Sequence, residues 1–219
     1  MYHIRLFRGL REPYVQAQQL VKAEQVGGFW RKGLLLLLMT FLVAAVSAYF
    51  GIGNEILSKE IHTRSNTEFE AIKLFFAIGQ IIWSLLQAII ILTIPSLFFW
   101  ALSDIEWKKY IAMQFYVLTI LLIGKIITIP FTVLLGLPDI SNPFSLGVIG
   151  QYLTSHDLTL QFLSGITIFT IWAMLLQYKF VRALSQRPRW QTMLFVLGFN
   201  LFLLAISVFL QIMDLEKLL

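Results

Sequence analysis

The residue that most invites a chemical reading is Lys125, a single charge set within the apolar stretch Tyr110 to Leu135. A charged side chain inside a membrane segment is costly and is a functional candidate by default. No acidic residue falls within any of the long apolar stretches to pair with it. Three roles stay open: Lys125 snorkels to the nearer interface, pairs with Glu68, Glu70 or a lipid phosphate, or lines a transport pathway. Gln80, Ser84 and Gln87 recur at positions i, i+4 and i+7, so a helix places them on one face. Such a stripe serves either as hydrogen-bonding glue between helices or as a polar path through a bundle. Gln114, Gln161, Ser164 and Asn200 read the same way, and Gly79 and Gly198 are expected to let helices approach closely.

Other reactive chemistry is sparse. The absence of cysteine excludes disulfides, thiolate metal sites, iron–sulfur clusters and a thiol nucleophile. His3, His62 and His156 are the three histidines, and His156-Asp157 with Glu68 or Glu70 makes only a weak metal-ligand pattern. The sequence contains no HExxH, GxSxG, GxxxxGKS/T or GxGxxG motif. The expectation is a protein that is not an enzyme, with no catalytic residue, cofactor or metal.

The elements that must position these residues follow from composition. Of 219 residues, 58% are hydrophobic and 13% charged, about half the charged share of a soluble domain. So little charge cannot cover a surface facing water, and lipid is the solvent that suits it. The reading is an all-α polytopic membrane protein: a bundle of five transmembrane helices over about 33–52, 72–101, 110–135, 158–178 and 192–212, preceded by a cytoplasmic segment over 1–32. No cleavable signal peptide is expected, because roughly thirty polar and mixed residues precede the first apolar run. The second and third spans exceed a straight crossing, so tilting or a break at Pro95 and Pro130 is expected. The connection 137–157, with Pro138 and Pro143 among apolar residues, suits the interface.

Basic residues set the orientation. Twelve fall on one proposed side, including Arg5, Arg31, Lys32, Lys108, Lys109, Lys179, Arg182, Arg187 and Arg189, against Lys59, Arg64, Lys73 and Lys217 on the other. That asymmetry predicts N-in and C-out. It also accounts for the net charge of +5 without a nucleic-acid partner. Trp30, Arg31 and Lys32, with Arg182, Arg187 and Arg189, are interfacial or lipid-headgroup candidates. Within the first segment Pro13 suits a helix start, and Tyr14, Ala17 and Val21 recur at helical spacing. A short amphipathic helix over 13–26, lying on the cytoplasmic surface, is expected.

The layout of five spans behind a proline-led cytoplasmic helix resembles the Yip1 family. The local part of the resemblance runs from Pro95-Ser96-Leu97-Phe98-Phe99-Trp100 through a tight turn to Trp107-Lys108-Lys109-Tyr110, then Gln114 and Ile129-Pro130-Phe131. The turn is Asp104-Ile105-Glu106 where many members have glycines. The Asp-Leu-Tyr-Gly-Pro and Gly-Tyr-Ser motifs of the eukaryotic proteins are missing. The resemblance therefore implies a prokaryotic-type accessory protein of the cell membrane, a bacterial plasma membrane before an internal one, and not a partner of small GTPases. It implies a protein partner within the bilayer, such as an ABC-type exporter assisted in assembly or regulation. The alternative is a small transporter or channel, with Lys125 and the Gln80, Ser84 and Gln87 face along its pathway. A lipid-binding role for the Pro13 helix is a third reading.

Overall fold

The computed structural model describes residues 2–53, 66–103 and 105–212, without the side chains of 66–69, 139 and 210–212. Lys59, Arg64, His62, Glu55, Glu60, Asp104 and Lys217 thus lie outside the described residues, as do the side chains of Glu68 and Asp139.

Residues Tyr2 to Leu6 alternate buried and exposed, the period of an extended chain. Strand β1 (Tyr2–His3) pairs in parallel with β2 (Val26–Gly27). Between them lie α1 (Leu6–Arg11) and α2 (Pro13–Lys22), the latter opened by a proline at its first position, where the missing N–H has no intrahelical partner to lose. These elements form a cap on the bundle. Tyr2, Ile4, Leu6, Ala17 and Leu20 join the main hydrophobic core, and α2 packs along α8 (Ile168–Ser185).

A helix is thus present within 13–26 but is shorter, and of the expected stripe Ala17 and Val21 face inward while Tyr14 does not. Gln16, Ala17 and Leu20 are buried, while Tyr14 is 65% exposed. Hydrogen bonding decides this: buried Gln16 accepts from Tyr2, a partner that helical periodicity cannot supply. Gly9 lies against the Tyr116 ring so closely that a Cβ would collide with it. The approach of α1 to the bundle requires glycine there.

Among the described residues, four helices are long and apolar enough to cross a membrane: α3 (Phe29–Tyr49), α4 (Asn66–Ala101), α5 (Trp107–Leu135) and α9 (Arg189–Ile212). The chain is helical throughout these segments because each backbone N–H and C=O then finds its partner within the segment. Helix α5 is the axis. Every residue from Tyr110 to Ile120 is buried, so it is enclosed on all sides, and α3, α4 and α8 pack around it. Of the two expectations, tilting or a break, the break does not occur: α4 and α5 run without interruption through Pro95 and Pro130. Helix α5 stops at Gly136, whose φ of 61° is left-handed and favours glycine.

The stretch expected as one span over 158–178 is two helices. A short helix, α6 (Gly147–Leu153), is followed by α7 (Asp157–Gly165), and after Ile166 and Thr167 the chain enters α8. Thr167 caps α8, accepting from Thr170 N at 3.1 Å while its own N–H donates to Thr170 Oγ1 at 2.8 Å. It also bridges Ser145 in the preceding connection. A reciprocal cap satisfies the first N–H groups of α8 and so starts a new helix inside an apolar run. Polar Gln177, Lys179 and Arg182 keep α8 from being as apolar as the other four.

Close helix approach also occurs elsewhere than expected. Nothing lies within 4 Å of a Cβ placed at Gly79 or Gly198, whereas one at Gly124 would meet the Phe169 ring at 2.8 Å. The α5–α8 seam is thus one place where a small residue is needed, and Gly165, where a Cβ would collide with Leu204 of α9, is another.

Candidate functional site: three polar clusters in the bundle

Three groups of polar side chains interrupt the apolar packing. The first includes most of the residues expected from helical spacing. Thr40 of α3, Ser84 and Gln87 of α4 and Lys125 of α5 line one cavity of about 60 Å³, otherwise walled by Val43, Ala44, Ala88, Ile91 and leucines. Space of this size holds a few water molecules and is well below a typical small-molecule pocket of several hundred Å³. Gln87 and Lys125 are exposed at its edge and Ser84 is half-buried. Thr40 gives its proton to Leu36 O at 2.9 Å, leaving its oxygen as an acceptor.

Gln80, one turn above Ser84, belongs elsewhere. Its Nε2 donates to Ile52 O at 2.8 Å, tying the end of α3 to α4. Its Oε1 is buried with no partner among the described residues.

The second cluster lies where α5, α8 and α9 meet. Asn200 Nδ2 donates to Gln177 Oε1 at 2.7 Å, and Gln177 Nε2 donates to Gln114 Oε1 at 3.3 Å. Asn200 also donates to Val196 O at 2.7 Å. Gln114 and Gln177 are buried, and Gln114 Nε2 finds no partner among the described residues. Gln114 and Asn200 were legible as polar residues in apolar runs. Gln177 carries the same signal, but its place near the end of an expected span concealed its central position. Around this cluster the aromatic end of α4 packs as a unit. Phe98 stacks on Phe199 at 4.2 Å, and Ser103 Oγ lies 2.7 Å from the Tyr110 hydroxyl.

The third cluster has no counterpart in the sequence patterns. Tyr2 donates to Gln16 Oε1 at 2.9 Å, and its hydroxyl lies 2.6 Å from that of Tyr116. Tyr2 has one proton and gives it to Gln16, so the proton between the phenols is that of Tyr116. Burial, followed by the nearness of Tyr116, pushes the Tyr2 phenol well above its ordinary pKa and keeps it neutral. Gln16 stands in a run of three glutamines within four residues, and nothing in the sequence marks it as the buried one.

The basic and aromatic candidates gather at the end of the bundle that carries the cap. Trp30 and Arg31 share a cleft with Trp107 and Lys108, and Lys32 is half-buried beside them. Lys109 Nζ donates to Val21 O at 3.1 Å, a cation at the C-terminus of α2. Arg187 donates to Leu102 O and lies 5.4 Å over the Phe195 ring, so it ties the α8–α9 turn to the end of α4. Arg182 and Arg189 are exposed. Among the described residues no group of three or more His, Asp or Glu could hold a metal ion, and His156-Asp157 does not converge with Glu70. No family model, curated protein or solved structure matches the chain.

Proposed function

We propose that the protein is a non-enzymatic accessory component of the cell membrane, Yip1-like in layout, that binds a larger membrane complex such as an ABC-type exporter through its helix surfaces. In this reading α8 joins the four long helices as a fifth crossing, with the capped end in the cytosol and the C-terminus outside. The basic residues at the capped end support that orientation. The observation that carries the reading is the state of α4. In one apolar run of 18 residues within α4 only 6% are buried within the protein, against 33% in the corresponding run of α5, and Gln87 is exposed on α4. An amide facing hydrocarbon is poorly solvated, and a polar group on a partner helix relieves that. Gln87→Leu is therefore expected to insert and fold normally yet lose its partner on gentle detergent purification from native membranes. Gln80 serves the α3–α4 connection instead, so Gln80→Leu should cost stability before association. Unchanged co-purification by the Gln87 variant counts against the proposal.

A second reading has one observation in its favour: Thr40, Ser84, Gln87 and Lys125 share a cavity. As part of a transport path this cavity would have to widen, because at about 60 Å³ it holds water and little else. Lys125→Met abolishing flux in proteoliposomes would favour transport; full flux in that variant would remove Lys125 from any pathway.

A further inference from the structure

The outer face of the N-terminal cap carries a cleft that neither reading uses. It measures about 410 Å³, within the range of small-molecule sites. Three elements supply its walls. The alternation of the extended segment turns Tyr2 inward and His3 and Arg5 outward on one side. Arg8 follows in α1, and Lys22 is the last residue of α2. All four line the same cleft.

Its floor is formed by Tyr2 and Gln16, which are 5% and 2% exposed. Both are held in place: Tyr2 by Gln16 and Tyr116, and Gln16 Nε2 by Gln19 Oε1 at 3.3 Å. An amide nitrogen has two hydrogens, and that bond uses one. Arg8 pairs with Glu12 at 3.4 Å, and the exposed Glu24 follows Ala23 at the rim. That pairing offsets one positive charge and leaves Arg5 and Lys22 to define the character of the cleft. Cationic and N–H donors from separate elements around a preorganised floor are the arrangement that recognises a phosphate dianion, since each donor shares its charge with a phosphate oxygen.

We propose that this cleft binds a phosphate group, presented either by a lipid phosphomonoester of the adjoining leaflet or by a soluble phosphate. The lipid source rests on the membrane orientation proposed above; the soluble source does not. Binding would fasten β1 to the end of α2 and so stabilise the cap on the bundle. The first variant is Arg5→Gln with Lys22→Gln, both exposed positions whose change leaves the Tyr2–Gln16 floor intact. The control, Arg11→Gln with Lys179→Gln, removes equal charge from exposed positions outside the cleft.

The full chain is placed in nanodiscs of phosphatidylcholine and titrated with inorganic phosphate. In parallel it is placed in discs containing phosphatidic acid, and Tm is read in both arms. A ligand that binds the folded state raises Tm with concentration. A rise with phosphate assigns the soluble source, and a rise only with phosphatidic acid assigns the lipid. In either case the cleft variant should bind roughly tenfold more weakly, the effect of losing charge-assisted hydrogen bonds, and the control should bind as the parent does. No rise in either arm, or equal loss in the two variants, overturns the proposal.

Discussion

The hydroxyls of Tyr2 and Tyr116 lie 2.6 Å apart, joining the extended start of the chain to the midst of the buried run of α5. The Arg5 backbone also lies near the Tyr116 hydroxyl. A single phenol thus serves both the first strand and the turn into α1. Removing it by Tyr116→Phe keeps the ring that stacks near Phe180 and faces Gly9, but leaves buried polar groups on the cap without partners. The expected cost is ~1–3 kcal/mol, falling on the docking of residues 2–28 and not on the bundle. Limited proteolysis in detergent should cut the variant within the cap while the long helices survive. Equal protection of variant and parent would show that the phenol pair does not hold the cap.

Alkali tests the same contact. The Tyr2 phenol is raised in the folded protein above the ordinary value of 10.0, so above that pH the unfolded cap loses this proton while the docked cap keeps it. The unfolded state then binds fewer protons, and stability falls as pH rises. Docking should be insensitive to this group below pH 10 and weaken above it by at most ~1.4 kcal/mol per pH unit for one proton. In Tyr2→Phe the same titration should be flatter. A parent and variant with superimposable alkaline profiles would remove Tyr2 as the cause.

The amide chain through Gln177 predicts non-additivity. Gln177→Leu removes the acceptor of Asn200 and the donor to Gln114 together, whereas Gln114→Leu removes one end only. Bonds of this kind within membranes average ~0.6 kcal/mol, with a further penalty for each buried group left unpaired. Gln177→Leu should therefore lower stability more than Gln114→Leu, and the double variant should lose less than the sum of the two. Thermal unfolding in one detergent checks this. Strict additivity would mean that the two glutamines are energetically independent.

Sequence by itself determined the helical class and the main elements. Scarce charge and long apolar runs leave helices as the structure that pairs its own backbone groups, and four such helices are present near the expected positions. The polar residues of α4 were legible because a lone polar group stands out against an apolar run, as did Gln114 and Asn200. Tertiary structure alone decided which of those groups meet. Ser84, Gln87 and Lys125 share a cavity while Gln80 turns to the end of α3. Gly124, not Gly79 or Gly198, sits at a tight seam. The break before α8 depends on Thr167 finding both Thr170 and Ser145, and a window of hydropathy cannot distinguish a capped start from another polar residue. The cap is the largest departure. Composition reads residues 1–32 as a cytoplasmic segment with an amphipathic surface helix, yet Tyr2, Ile4, Leu6, Ala17 and Leu20 are buried because Tyr116 and α8 offer them a complementary surface. Periodicity records which residues share a face; burial depends on what that face meets, and the partner lies some hundred residues away in the chain.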